Sequence, residues 1–207
     1  GKELFAAAYG TTSQKCLIMK TGLFFGSFNP IHVGHLILAS YMVAYSDLDK
    51  VMFVVSPKSP FKQKQSLLNE YDRLALVRLA IEGDLRLDAT DIEFKMPKPS
   101  YTIHTLQHLE ERYPERQFAL IMGSDTVNSL PKWKNYEQLI GSYSIYVYPR
   151  PEYPLQPVEG AAITQFDAPL MRLSSSFIRE TLKAGKSVRY MVPEPVFHEI
   201  EKWGYYQ

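Results

Sequence analysis

Short apolar runs alternate with helix-period segments along most of this chain. That alternation restricts it to an α/β fold, a mainly parallel sheet with helices on both faces. Residues 22–28 read as the first strand and 33–44 as a helix that is apolar on most sides. Residues 51–55 form a continuous Val- and Phe-rich run suited to a strand buried on both faces. Asn69 is placed to cap a helix over 70–81, which Gly83 ends. An extended region within 85–96, a Pro97-Lys98-Pro99 break and a helix over 102–112 come next. Residues 118–122 are a buried strand ending at Gly123; 124–140 read as short helices interrupted by Pro131, and 143–148 alternate as a strand. Pro149, Pro151, Pro154 and Pro157 exclude a sheet interior. A last strand is expected at 163–166 and a helix at 175–184 stopped by Gly185. A final helix begins near Pro195 and carries Val196, Ile200 and Trp203.

A length of 207 residues suits one well-buried domain. With 23 basic and 22 acidic side chains, the net charge of +1 supplies no broad cationic field of the kind that collects nucleic acid. Any anionic ligand must be met locally. The lone Cys16 makes no internal disulfide and has no metal-ligand partner at useful spacing, which fits a reducing cytoplasm. No apolar stretch approaches the roughly 18 residues of a membrane span, and 4–8 is too short for a signal-peptide core. Residues 1–18 show no sustained period, whereas Met19-Lys20-Thr21 leads straight into the first strand. The expected organisation is an N-terminal extension or expression remnant over 1–18 and a single domain over 19–207.

The densest chemistry lies in Gly26-Ser27-Phe28-Asn29-Pro30-Ile31-His32-Val33-Gly34-His35, between a strand and a helix. Glycine lets a ligand approach the backbone, and a new helix presents unpaired amides whose dipole favours an anion. Two imidazoles flanking Gly34 can both donate to phosphate oxygens near the helix entrance. Taken singly, either histidine serves as well as a turn cap or a core residue. The order G-x-x-x-x-G-K-[ST] of a Walker loop is absent. A second cluster, Leu173-Ser174-Ser175-Ser176-Phe177-Ile178-Arg179, offers serine hydroxyls, helix amides and one fixed positive charge. Alone, it reads equally as a serine cap before a surface arginine.

Together the clusters resemble the H-x-G-H and I-S-S-T-x-I-R motifs of the nucleotidyltransferase superfamily, with Leu173 and Ser176 as conservative departures. Pro99-Ser100-Tyr101-Thr102, Gly123-Ser124-Asp125 and Trp133-Lys134 extend that resemblance to the bacterial nicotinate mononucleotide adenylyltransferases, from Met19 to the C-terminus. The resemblance implies a Rossmann-like, doubly wound sheet. It implies transfer of AMP from ATP to nicotinate mononucleotide, giving deamido-NAD and pyrophosphate. It marks His32, His35 and Arg179 as catalytic, and Gly26, Ser27, Phe28, Gly34, Gly123, Asp125, Ser174, Ser175 and Ser176 as ATP-binding. Lys62, Thr102, Trp133, Lys134 and Arg150 fall to the mononucleotide. Mg²⁺ is expected to ride on the ATP phosphates, without a dedicated protein metal site.

By the same resemblance, Trp133 stacks on the pyridine ring, amides near Thr102 and Lys134 receive its carboxylate, and Asp125 binds a ribose hydroxyl. The residues themselves leave other readings open: core packing for Trp133, a helix cap for Asp125, a solvated loop position for Lys62. Arg73 is assigned to a solvated or salt-bridged helix face, outside the site, and Tyr101 to support of its loop. Phe25 stands where the family commonly has glycine and Asn29 where it has aspartate; the neutral amide is expected to preserve the turn. The rival readings are a related nucleotidyltransferase with another phosphate acceptor and a nucleotide sensor without turnover. An aromatic content of 13% serves a core, a pocket or a subunit contact equally, so a homo-oligomer stays open.

Overall fold

The computed structural model describes residues 18–57 and 67–207. The expectations for the N-terminal extension, for Cys16 and for Lys62 lie outside the described residues. Within them the chain runs β1 (Met19–Gly26), α1 (Val33–Tyr45), β2 (Lys50–Val55), α2 (Glu70–Ala80), β3 (Leu87–Thr90), α3 (Thr102–Arg112), β4 (Arg116–Gly123). It continues through α4 (Ser124–Val127), α5 (Tyr136–Ser142), β5 (Ile145–Tyr148), β6 (Ile163–Gln165), α6 (Ser175–Lys183) and α7 (Glu194–Trp203).

The strands form one sheet in the order β3-β2-β1-β4-β5-β6, and every pairing is parallel. Successive side chains of a strand point to opposite faces, and the core divides accordingly. Phe24, Val51, Phe53, Val55, Ala119, Ile121 and Tyr146 pack with Leu38, Met42, Leu74, Val77, Ile178, Leu182, Val196 and Ile200, which belong to α1, α2, α6 and α7. Leu23, Met52, Val54, Phe118, Leu120, Met122, Ile145 and Val147 pack with Ile103, Leu106, Leu109, Val127 and Leu139 of α3, α4 and α5. Both faces are covered, which is why the central strands read as unbroken apolar runs. The fold is the expected doubly wound α/β sheet. Strand order reverses between β1 and β4, so a crevice opens there beyond the carboxyl ends of the strands. In register, Gly26 lies beside Val55 and Gly123 beside Tyr148, so the segments leaving these four strands start from one edge of the sheet.

Two local expectations are corrected. β1 ends at Gly26 and does not run on through Phe28, whose backbone turns left-handed at φ 44°. Such a backbone costs a bulky residue about 1–3 kcal/mol. Burial of the ring offsets that cost, with edge contacts to Phe24, Phe53 and His35 at 5.1–5.8 Å. The extended region expected within 85–96 is β3, and Ile92–Lys95 after it is a 3-10 turn that buries Glu93. Trp203 ends α7 as expected and is 60% exposed, its indole donating to Glu199 Oε2 at 2.7 Å.

The second correction concerns Arg73, which is fully buried and not on a solvated face. Its Nε donates to Leu68 O at 2.9 Å, Nη1 to Ser27 O at 2.5 Å and Ser56 O at 2.9 Å, and Nη2 to Pro57 O at 2.7 Å. One planar fork therefore ties the turn after β1 to the chain leaving β2. Four acceptors replace the water that a buried guanidinium loses. Burial lowers its pKa from the usual arginine range.

Candidate active site

The turn after β1 delivers both histidines to the mouth of the crevice. His32 is the N-cap of α1, and the rings of His32 and His35 stack with centroids 3.7 Å apart. The His32 amide donates to His35 Nδ1 at 3.2 Å. A nitrogen that accepts a hydrogen bond carries no proton, so neutral His35 holds its proton on Nε2, where it can be donated. The reciprocal contact is not made: His35 N donates to the His32 carbonyl at 3.0 Å, and His32 Nδ1 is buried without a hydrogen bond. Gly34 leaves room for this stack, since a Cβ there would lie 3.1 Å from both Cε1 and Nδ1 of His32, closer than the ring can keep without shifting.

Both imidazoles are neutral at pH 7. Burial, then the positive charge of Arg150, lowers His32 to about 4. His35 is pushed well below the usual range by burial, by His32 and by Arg150.

Arg150 belongs to the far wall. Its Nε lies 3.8 Å from Asp125 Oδ1, and its guanidinium sits 5.2 Å from the centroid of the Tyr148 ring. Gly123 ends β4 where a Cβ would come within 2.4 Å of Asp125 Oδ1 and 3.3 Å of Arg150 Cγ. Ser124, almost fully buried, donates to Tyr153 O at 2.6 Å and accepts from Arg150 N at 2.8 Å, so it fixes the turn that carries Arg150.

The second phosphate-type cluster meets the first. Arg179 Nη1 donates to Asn29 O at 2.7 Å, and Ser175 Oγ to Pro30 O at 2.8 Å. Arg179 Nη2 donates to Ser176 Oγ at 3.2 Å, and Ser174 caps α6 by accepting from Phe177 N at 3.2 Å. Asn29 Oδ1 accepts from Leu68 N at 3.1 Å, so the amide holds the turn as expected. On the other face, Lys134 Nζ lies 4.3 Å above the ring of Tyr101, which is the N-cap of α3 and precedes Thr102. Trp133 packs partly buried against that core, its Nε1 donating to Ser129 Oγ at 3.1 Å. The segments holding Thr102, Trp133 and Lys134 thus come together.

The description Cytidylyltransferase-like belongs to the family model that matches residues 23–181. The probable nicotinate-nucleotide adenylyltransferase of Flavobacterium johnsoniae is 45% identical over 192 residues, 91% of this chain and 100% of that protein. The one from Cytophaga hutchinsonii is 48% identical over 189 residues, 91% of this chain and 98% of its own. The chain belongs to the nicotinate-nucleotide adenylyltransferases of the cytidylyltransferase-like family. Its fold is that of the nicotinic acid mononucleotide adenylyltransferase of Plasmodium falciparum solved with NaAD, with a TM-score of 0.75 at 17% identity, covering 91% of this chain and 97% of that one.

Within this adenylyltransferase, the structure brings His32, His35 and Gly34 together with Arg150, and Ser175 and Arg179 onto the same turn. The side chain of Phe28 is core, which leaves only its backbone for a ligand. Arg150, assigned to the mononucleotide, stands beside the histidines and Asp125. Arg73, Glu93 and Ser124 are buried supports that motif reading missed. A cleft of about 500 Å³ between Asp91 and Arg112 shares none of the predicted site residues.

Proposed function

We propose that this enzyme transfers the adenylyl group of ATP to nicotinate mononucleotide. An oxygen of the mononucleotide phosphate attacks the α-phosphorus in line, forming the new P–O bond as the bond to the β-phosphate bridging oxygen breaks. Pyrophosphate leaves with that electron pair, and deamido-NAD is the product. The attacking phosphate is already anionic near neutral pH, so alignment and charge stabilisation are the protein's main tasks.

The observation that carries this reading is the hydrogen bond from Arg179 to the Asn29 carbonyl, which joins the histidine turn to the serine helix. A guanidinium and an imidazole Nε2–H then serve one triphosphate. Lys134 over Tyr101 favours an acceptor read by the Thr102 and Trp133 segments over another phosphate ester. His35 donates to the α-phosphate with His32 beside it, while Arg179 and the start of α6 hold the departing pyrophosphate. Mg²⁺ would come with ATP and supply positive charge to its phosphates, with no dedicated protein ligand set expected to hold it. Among the described residues no helix is long and apolar enough to cross a membrane. We place the enzyme in the cytoplasm, acting on small molecules and not on nucleic acid.

Pyrophosphate release from ATP with nicotinate mononucleotide, nicotinamide mononucleotide or phosphopantetheine tests the reading. The acid mononucleotide is expected to be the best substrate. Equal efficiency with the amide removes the acid assignment, and ATP binding without turnover on any acceptor makes the protein a sensor.

A further inference from the structure

The carboxylate of Glu93 is buried, at 4% exposure, and the transfer step makes no use of it. Thr105 of α3, itself fully buried, donates its hydroxyl to Glu93 Oε1 at 2.8 Å. Thr105 lies in the first turn of α3, whereas Glu93 sits in the 3-10 turn at Ile92–Lys95, so this one hydrogen bond joins the two segments. Burial pushes the Glu93 carboxyl up and the hydroxyls of Thr105, Ser56 and Ser100 draw it back down, with no cation contributing among the described residues. A carboxylate kept in the interior without a counter-charge must find its compensation in such donors.

The geometry shows what this ties down. The amides of His104 and Thr105 donate to Tyr101 O at 2.9 and 3.1 Å, closing the first turn of α3 around that carbonyl. Thr105 Oγ1 is 3.4 Å from the same carbonyl, but its single proton goes to the closer Glu93 oxygen. Glu93 therefore holds the first turn of α3 through Thr105. Thr102 is the first residue of that turn.

We propose that Glu93 is the positioning residue that sets the Thr102 amide for the carboxylate of the pyridine substrate, and through it the preference for the acid over the amide mononucleotide. This rests on the adenylyl-transfer reading. Removing the carboxylate leaves the buried Thr105 hydroxyl without its acceptor and frees the helix start, so recognition of the acid suffers while the ATP cradle, built on other turns, does not.

The test is steady-state kinetics of pyrophosphate release by the full chain. Glu93→Ala is expected to raise KM for nicotinate mononucleotide about tenfold, and to lower the acid-to-amide ratio of kcat/KM by a similar factor, with KM for ATP within about twofold. Glu93→Gln keeps an oxygen for Thr105 and is expected to restore the ratio to within about threefold of wild type. Thr105→Val, which keeps the shape and removes the donor, is expected to shift the ratio in the same direction, and it carries the test where the alanine variant does not fold. An unchanged ratio in these variants, an equal rise of both KM values, or lower turnover with both KM values intact overturns the proposal. Wild type that turns over with an unmoved ratio sinks only this inference; wild type without turnover on the acid mononucleotide sinks the transfer reading and this inference with it.

Discussion

Arg179 Nη1 donates to the carbonyl of Asn29, 150 residues earlier in the chain, at 2.7 Å. The same guanidinium reaches Ser176 Oγ through Nη2. A planar fork can hold both partners and still present charge to phosphate oxygens, whereas an ammonium offers a point charge without that geometry. Arg179→Lys is expected to lower kcat by at least about tenfold and Arg179→Ala by about 10²–10³, with KM for the mononucleotide little changed. Pyrophosphate release under saturating ATP checks this; a lysine variant at wild-type rate would show that charge alone suffices.

The stacked histidines make stability depend on pH. His32 binds its proton at about 4 in the folded chain against 6.5 for the free side chain, and His35 is lowered too. Between those values the unfolded chain holds more protons than the folded one, so stability rises with pH across the window and falls as pH drops from about 6.5 towards 4. Replacing both histidines with Gln is expected to flatten that dependence between pH 6.5 and 4.5, read as the urea midpoint against pH. A slope equal to that of wild type would mean that the rings are already hydrated and charged.

Gly34 tests the stack itself. A methyl group 3.1 Å from the His32 ring must displace it, and the His35 ring at 3.7 Å limits where it can go. Gly34→Ala is expected to lower kcat by about tenfold or more while the melting temperature shifts by only a few degrees. Unchanged kcat would show that the ring positions do not matter to the reaction.

Arg73 carries the largest predicted loss of stability. Arg73→Met leaves the carbonyls of Ser27, Ser56, Leu68 and Pro57 without this donor in the interior. Unpaired buried acceptors cost about 1–3 kcal/mol each before relaxation. A net loss of about 3–5 kcal/mol is expected, or roughly 10 °C in Tm for a domain of this size. Arg73→Lys is expected to recover only part of it. Urea unfolding measures the difference, and a shift below about 1 kcal/mol would show that water replaces the fork.

The histidine turn was legible because scarce residue types fall within ten consecutive positions, and the sheet because strands buried on both faces read as apolar runs. Arg73 was not, since a lone arginine on a helix suggests solvent. The available cue was its register: Arg73, Leu76, Val77 and Ala80 share the i, i+3, i+4, i+7 stripe, three of them fully or nearly fully buried. Glu93 was hidden because the extended region within 85–96 shows no end in the sequence. Read as a strand, Ile92-Glu93-Phe94 turns its acid outward, whereas the 3-10 turn rotates it into the interior. The convergence of Arg179 on Asn29 depends on α6 packing with α1 and α2 on one face, which no local pattern encodes.

Arg150 joins the two walls of the site, so its removal should be felt on both. Its charge acts on His32 and His35, and its Nε lies 3.8 Å from Asp125. Burial is the larger cause of the low histidine pKa values, so Arg150→Gln is expected to raise them only in part. The direction is upward because a nearby positive charge is lost. The same change removes one cation from the phosphate cradle, so KM for ATP should rise about five- to tenfold. Imidazole proton shifts followed by NMR against pH report the first effect, and steady-state kinetics the second. Asp125→Asn separates them: it frees the guanidinium without removing it, leaving the positive charge beside the imidazoles. Histidine titrations that move equally in both variants would mean that Arg150 acts through the local fold and not through its charge.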